Sequence, residues 1–158
     1  MGSRVYVMQF ENVAISAVQD IFFVKAGTAN GLKLRYICLG AIGQTSATEF
    51  RLSLKRYTGA TVTAGSGGST PTVNLVNDGD TKATTTAAAH ANDTSQASST
   101  TTQTLESYTW DVLLPWEYQP ADVDERAACL AGEGLGLTLN AAPSSTNCSG
   151  TIRWEETP

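Results

Sequence analysis

Hydrophobic and polar residues alternate with a period of two along much of this chain. In residues 49–57, Phe50, Leu52 and Leu54 alternate with charged and hydroxyl-bearing side chains. Such a period places the apolar side chains on one face of a β-strand, whereas a helix would distribute the charges around its surface. Related alternating or continuous apolar segments occur at 4–7, 13–16, 21–24, 32–39, 107–114, 135–139 and 151–156. The pattern predicts about eight strands and no helix of normal length.

Turn-forming residues separate these segments, for example Gly27 and Gly31 before residues 32–39, and Pro115 after the Tyr- and Trp-containing segment. Many short strands joined by such turns are typical of an antiparallel β-sandwich or jelly roll. A chain of 158 residues is long enough to bury one core of this kind. We therefore expect a single all-β sandwich domain that covers residues 1–158.

The composition changes in residues 58–104, which are rich in Thr, Ser, Ala and Gly and contain few large apolar residues. Within this insertion, Gly65-Ser66-Gly67-Gly68 has the composition of a linker, and a disordered linker is one interpretation. However, threonine favours strands, and the low charge disfavours a free tail. We expect an ordered extended arm or long loops that belong to the sandwich domain.

Charge and hydropathy limit the classes of partner. Only 16% of the residues are charged, and the net charge is −5. Nucleic-acid binding requires clustered basic residues, and those of this chain are scattered, so no nucleic-acid partner is expected. No apolar stretch is long enough for a membrane span, and no signal peptide precedes the first alternating segment. We expect a protein without a membrane partner that folds where it is synthesised.

Three cysteines, Cys38, Cys129 and Cys148, form an odd set without the paired spacing of a zinc site. We interpret them as small buried apolar residues. Pairing of Cys129 with Cys148 stays open at this point, since neighbouring strands could bring the two together.

The sequence predicts no catalytic, cofactor or metal site. His90 is the only histidine, and it lies in an Ala-rich run where no partner is evident, so a catalytic triad or a multi-histidine metal site lacks components. The acidic loop of Asp122, Asp124 and Glu125 could bind a divalent cation, but such loops are usually only solvated. The same applies to the turn at 77–80, which contains Asp78 and Asp80.

Aromatic residues and carboxylates leave two other functions to consider. Trp110, Trp116 and Trp154 could form a sugar-binding platform, but Trp110 and Trp154 fall on the apolar phase of their strands, which indicates core positions. An enzyme such as a small β-sandwich hydrolase would need a carboxylate pair in a concave face. The candidates near aromatic residues are Glu106, Asp111 and Glu117. We expect no small-molecule substrate.

Several segments resemble small virion proteins of tailed bacteriophages. The resemblance covers both ends and part of the middle of the chain, at 4–7, 10–14, 19–22, 65–72, 132–135, 139–143 and 149–156. It implies a decoration or cement protein that assembles on a capsid, commonly as a homotrimer. The segment 82–104 departs from the family, and no functional residue carries over, because the family pattern consists of strands and turns.

The expected function is therefore that of a virion structural protein. It would be made in the host bacterial cytoplasm and would bind the outer surface of the capsid, with the major capsid protein and sister copies as partners. Residues 58–104 would reach sister subunits or the shell below. The alternative is a receptor- or carbohydrate-binding module of a tail tip or tail fibre, which would use Trp116, Tyr118 and the acidic loop.

Overall fold

A computed structural model describes residues 4–77, 86–141 and 146–157, with the backbone alone at residues 86 and 87. These residues form eleven β-strands and no helix. The strands are β1 (Val5–Ile15), β2 (Gln19–Ala26), β3 (Gly31–Ile42), β4 (Glu49–Thr58), β5 (Asn74–Leu75), β6 (Thr86–Asp93), β7 (Thr101–Asp111), β8 (Trp116–Tyr118), β9 (Ala128–Cys129), β10 (Gly134–Leu139) and β11 (Thr146–Thr157).

The strands form two antiparallel sheets. The first sheet has the order β5-β1-β11-β3-β8, with β9 also paired to β3, and the second has the order β6-β2-β10-β4-β7. Without the added strands β5, β6 and β9, the orders are β1-β11-β3-β8 and β2-β10-β4-β7, so β1 to β2, β3 to β4, β7 to β8 and β10 to β11 each cross between sheets. This is the double-sheet arrangement of a jelly roll. The prediction of an all-β sandwich is confirmed.

The main core lies between the two sheets. Trp110, Trp154, Phe22 and Leu52 are among its buried side chains, and each is at most 2% exposed. The alternation predicted for β4 is confirmed, because Phe50, Leu52 and Leu54 all belong to this core.

A second, smaller core covers the opposite face of the second sheet. Phe23 of β2 and Tyr57 of β4 pack there against Val62 and Ala97 of the insertion. Phe23 alternates with the main-core residue Phe22, so β2 is buried on both faces.

The insertion supplies this cover. Residues 59–70 and 94–100, which we call the flap, run antiparallel to each other, with bridges between Thr63 and Ser98 and between Ser66 and Ser95. The flap lies on the second sheet of its own molecule. The insertion also adds β5 to the edge of the first sheet and β6 to the edge of the second. Contact of residues 58–104 with a neighbouring subunit stays a prediction.

The glycines of the linker-like sequence allow this close packing. A Cβ atom on Gly65 would lie 2.1 Å from the carbonyl oxygen of Ser95, and one on Gly68 would lie 2.2 Å from that of Ala91. Both distances are too short for any side chain. The glycine-rich stretch is therefore a site of backbone contact in the folded domain.

Candidate functional site

Two clefts of opposite charge meet at Gln119 and Pro120, directly after β8. One, the arginine groove, opens on the outer side of the first sheet. The other, the acidic cleft, involves residues of β7 and β8, which are the edge strands of the two sheets. The edge of the sandwich near β8 therefore carries both charges side by side.

The arginine groove has a volume of about 450 Å³. Its lining residues are Val5, Arg35, Tyr36, Val76, Gln119, Pro120, Arg126 and Arg153. A β-bulge places two of them: Tyr36 pairs with Arg153, but Leu34 pairs with Trp154, so that Arg35 is the extra residue. Bulges of this kind re-aim side chains, and here the bulge lies beside the groove.

One carboxylate lies between two of the arginines. Glu155 contacts Arg35 at 3.5 Å and Arg126 at 3.6 Å, measured between guanidinium nitrogen and carboxylate oxygen. Arg153 instead lies over the ring of Tyr36, with its guanidinium carbon 5.7 Å from the ring centre. Among the described residues, Arg153 has no acidic partner, and the buried Nε of Arg126 has no acceptor.

The acidic cleft has a volume of about 560 Å³ and is lined by Glu106, Tyr108, Glu117, Tyr118, Gln119, Pro120 and Glu125. The hydroxyl of Tyr108 donates a hydrogen bond to Glu106, and that of Tyr36 donates to Glu117 at 3.1 Å. Two of the three carboxylates considered for an enzyme therefore share this cleft. The third, Asp111, is elsewhere, since it accepts a hydrogen bond of 3.0 Å from the backbone N–H of Leu113.

A buried polar cluster lies where the flap meets the second sheet. Asp20 is fully buried and accepts hydrogen bonds from the Thr138 hydroxyl at 2.9 Å and the backbone N–H of Ala97 at 2.6 Å. Burial raises the pKa of Asp20, and burial together with the charge of Asp20 raises the pKa of Tyr57 to about 12. The bond between Ala97 and Asp20 attaches the flap to the second sheet.

His90 has a partner that sequence reasoning missed. Its Nδ1 lies 3.0 Å from the carboxylate of Asp93, three residues further along the chain. Asn92 between them has a left-handed backbone with φ of 59°, and among the described non-glycine residues only Asn12, with φ of 52°, also has a positive φ. A regular strand would place residues three apart on opposite faces. The pair was therefore hidden from an analysis of alternation.

The aromatic platform of the carbohydrate-binding alternative is not present on the surface. Trp116 is 9% exposed and Tyr118 is 5% exposed. The ring of Trp116 packs edge-to-face on Tyr108, with 5.0 Å between ring centres. The predicted core positions of Trp110 and Trp154 are confirmed.

The acidic loop makes local contacts. Asp122 accepts a hydrogen bond of 2.9 Å from the backbone N–H of Asp124, as in an ordinary turn. Within 4–77, 86–141 and 146–157, no group of three or more His, Cys, Asp or Glu residues is arranged to hold a metal ion. Asp78 and Asp80 lie outside the described residues.

The cysteines are all free thiols. Both cysteines lie on strands that pair with β3. Cys129 is opposite Leu32 and Cys148 is opposite Ala41, so the two cysteines are nine residues apart along β3. That spacing corresponds to about 30 Å, whereas a disulfide needs Cα atoms within about 7 Å. Pairing of these two cysteines is thus incompatible with the fold. Cys38 is half-buried, so the prediction of burial is confirmed only for Cys129 and Cys148.

Four large apolar side chains are exposed at one end of the sandwich, which we call the apolar end. Val18 lies in the β1–β2 turn, Ile42 ends β3, and Leu113 and Leu114 lie in the β7–β8 turn; their exposed fractions are 44%, 47%, 47% and 64%. Strand pairing puts these turns at the same end. Sequence reasoning missed them. Leu114 was expected on the apolar face of a strand over 107–114, but β7 ends at Asp111. Val18 and Ile42 lie outside the predicted strands.

Comparison with known proteins identifies no relative: no family model, no curated protein and no solved structure matches the chain. In the part of the chain that the structure describes, there is no helix with the length and apolar character needed to cross a bilayer.

Proposed function

We propose that this chain is a structural protein of a bacteriophage virion, which binds the outside of the capsid and stabilises or decorates the shell through subunit contacts. The apolar end is the observation that carries this proposal. Soluble proteins rarely expose several large apolar side chains together unless the surface has a partner. Val18, Leu113 and Leu114 lie on turns and Ile42 at the end of β3, all at the same end of the sandwich.

A second feature that supports the proposal is β7, the edge strand of the second sheet, because it offers a surface for contacts between sister copies. β7 is eleven residues long and forms the edge of its sheet, and Thr101, Thr102, Gln103 and Thr104 are all exposed. Within the described residues, β4 is its only neighbouring strand. An uncovered edge strand can pair with a strand of another chain. Many weak contacts of this kind add up when copies assemble on one lattice.

The jelly roll alone does not decide the function, because this fold occurs in capsid proteins and in lectins. The alternative of a tail-associated carbohydrate-binding module has less support, because Trp116 and Tyr118 are buried. Their rings cannot stack on a sugar without unpacking the core.

The test uses virions from which this chain has been removed and to which purified protein is added back. We expect Leu114→Asp to weaken rebinding by at least about tenfold, because a carboxylate would be placed in an apolar contact. Leu130→Asp is the matched control, since Leu130 is 73% exposed at the opposite end of the sandwich. Deletion of the insertion would be a poorer test, because Val62 and Ala97 belong to the packed core.

Equal rebinding of the two variants would contradict a role for the apolar end. The number of copies per particle, measured by quantitative mass spectrometry, separates the two locations. Copies in the hundreds are expected for shell decoration, and a handful would contradict it in favour of the tail.

A further inference from the structure

The arginine groove concentrates positive charge in an acidic protein. Three of the six arginines, Arg35, Arg126 and Arg153, line it, although the chain has a net charge of −5. Glu155 is the carboxylate that contacts two of them. The groove therefore carries more positive than negative charge, which a decorative or cementing role does not require.

The guanidinium groups have unused hydrogen-bonding capacity. Each arginine has five N–H donors, so the three together have about fifteen, whereas one carboxylate offers about four acceptor positions. The contacts of Glu155 with Arg35 and Arg126, at 3.5 and 3.6 Å, are longer than the roughly 2.7–2.9 Å of a strong charged hydrogen bond. The Nε of Arg126 is buried without an acceptor among the described residues. An added anion can accept hydrogen bonds from the accessible guanidinium nitrogens of Arg35 and Arg153.

The surroundings favour a carboxylate over other anions. Glu155 already shows that a carboxylate fits between Arg35 and Arg126, and the planar guanidinium matches the two oxygens of that group. Val5, Val76 and Pro120 add apolar walls that suit a short aliphatic chain beside the charged group. A volume of about 450 Å³ is within the usual range for small-ligand sites.

We propose that the arginine groove is a binding site for a carboxylate-bearing ligand. Two sources share this chemistry. One is a free di- or tricarboxylate. The other is a second copy of the chain, whose acidic cleft carries Glu106, Glu117 and Glu125. Because the groove and the cleft adjoin at Gln119 and Pro120, two copies can present opposite charges to each other.

The first experiment is a titration of the ¹⁵N-labelled protein with citrate at low ionic strength, followed by NMR. We expect saturable shifts at the Gln119 side-chain amide and around Arg126. Arg153→Gln should weaken citrate binding by about tenfold, because it removes a charged donor that lies over the ring of Tyr36 and has no acidic partner among the described residues. Arg51→Gln is the control: Arg51 is exposed on the second sheet, so the same loss of charge should change the affinity less than twofold.

The second experiment identifies the source by sedimentation velocity. If the ligand is a second copy, the wild-type protein self-associates at low salt, and Arg153→Gln and Glu117→Gln each weaken that association while Arg51→Gln does not. If the wild-type protein is monomeric and binds citrate, the ligand is a free carboxylate. The proposal is overturned if neither citrate binding nor self-association depends on Arg153, or if inorganic phosphate binds more tightly than citrate. Rebinding to virions by the apolar end is measured separately, so either proposal can fail alone.

Discussion

Asp20 accepts a hydrogen bond of 2.6 Å from the backbone N–H of Ala97, which lies 77 residues later in the chain. This bond connects the flap to β2 of the second sheet, and a second bond, from Thr138 of β10, holds the same carboxylate in place. We expect Asp20→Ala to lower the free energy of unfolding by about 2 kcal/mol, because two buried donors lose their acceptor. Urea denaturation measures the loss, and limited proteolysis should show faster cleavage within residues 94–100.

Asp124→Ala is the control for this substitution, because Asp124 is exposed in the loop after β8. It should change the free energy of unfolding by less than about 0.5 kcal/mol. Equal stability of the two variants would show that the flap is held by its apolar contacts alone.

The same carboxylate gives a pH dependence of known sign. Burial raises the pKa of Asp20 above its ordinary value of 3.8, so the folded state holds the proton more tightly than the unfolded state. The contribution of Asp20 to the free energy of unfolding is therefore largest when the pH is below the pKa of Asp20 in the unfolded state. It is lost as the pH rises through the pKa of Asp20 in the folded state. Asp20→Asn cannot ionise, so its stability relative to wild type should increase from about pH 3 to about pH 7.

Urea denaturation of wild type and Asp20→Asn at several pH values in that range tests the sign. Because both proteins keep all other titratable groups, the difference between them isolates Asp20. A difference that does not change with pH, or that moves in favour of wild type as the pH rises, would contradict a raised pKa.

The contact between the two segments of the flap predicts the effect of a single methyl group. Gly65→Ala places a Cβ atom 2.1 Å from the carbonyl oxygen of Ser95, so the two backbone segments must separate. We expect a loss of at least about 2 kcal/mol in the free energy of unfolding. Gly40→Ala is the matched control, because no atom lies within 4 Å of the added methyl group. Similar stability of both variants would indicate that the flap is loosely attached.

Accessibility and pKa together predict which thiol reacts. Burial raises the pKa of Cys129 and of Cys148 to about 12, so both are protonated and shielded, whereas Cys38 is only half-buried. A thiol-specific reagent at about pH 8 should label Cys38 in the native protein and all three cysteines after unfolding. If only Cys38 were labelled after unfolding without reductant, Cys129 and Cys148 would have to form a disulfide, which would contradict the fold.

Alternation predicted the fold well where one face of a strand meets the core and the other meets solvent. In β4, the alternating positions of Phe50, Leu52 and Leu54 were sufficient to identify both the strand and the face that is buried. In β10, all six residues are buried, including Gly136 and Thr138, because the flap helps to cover the second face. That cover comes from a Thr-, Ser- and Ala-rich segment whose composition does not indicate a packed layer.

The arginine groove could not be predicted from the sequence, because its basic residues are far apart along the chain. Arg35 and Arg126 come from separate segments, and Arg153 is brought beside Tyr36 only by the register of β3 and β11. A shift of one residue in that pairing would move these side chains to the other face of the sheet. The basic residues are scattered in the sequence, and the order of the strands in the sheet brings some of them together in space.

The central positions of β10 and β11 have a consequence for biosynthesis. Each of these strands lies between two partners that precede it in the chain, β2 and β4 for β10 and β1 and β3 for β11. Neither sheet can be completed until residues 134–157 have emerged from the ribosome. Folding should therefore follow the synthesis of these last segments and be slow compared with that of helical proteins, since it depends on distant strand pairs. Earlier strands would meanwhile expose unpaired edges, so a nascent chain stalled before β10 should be prone to aggregation.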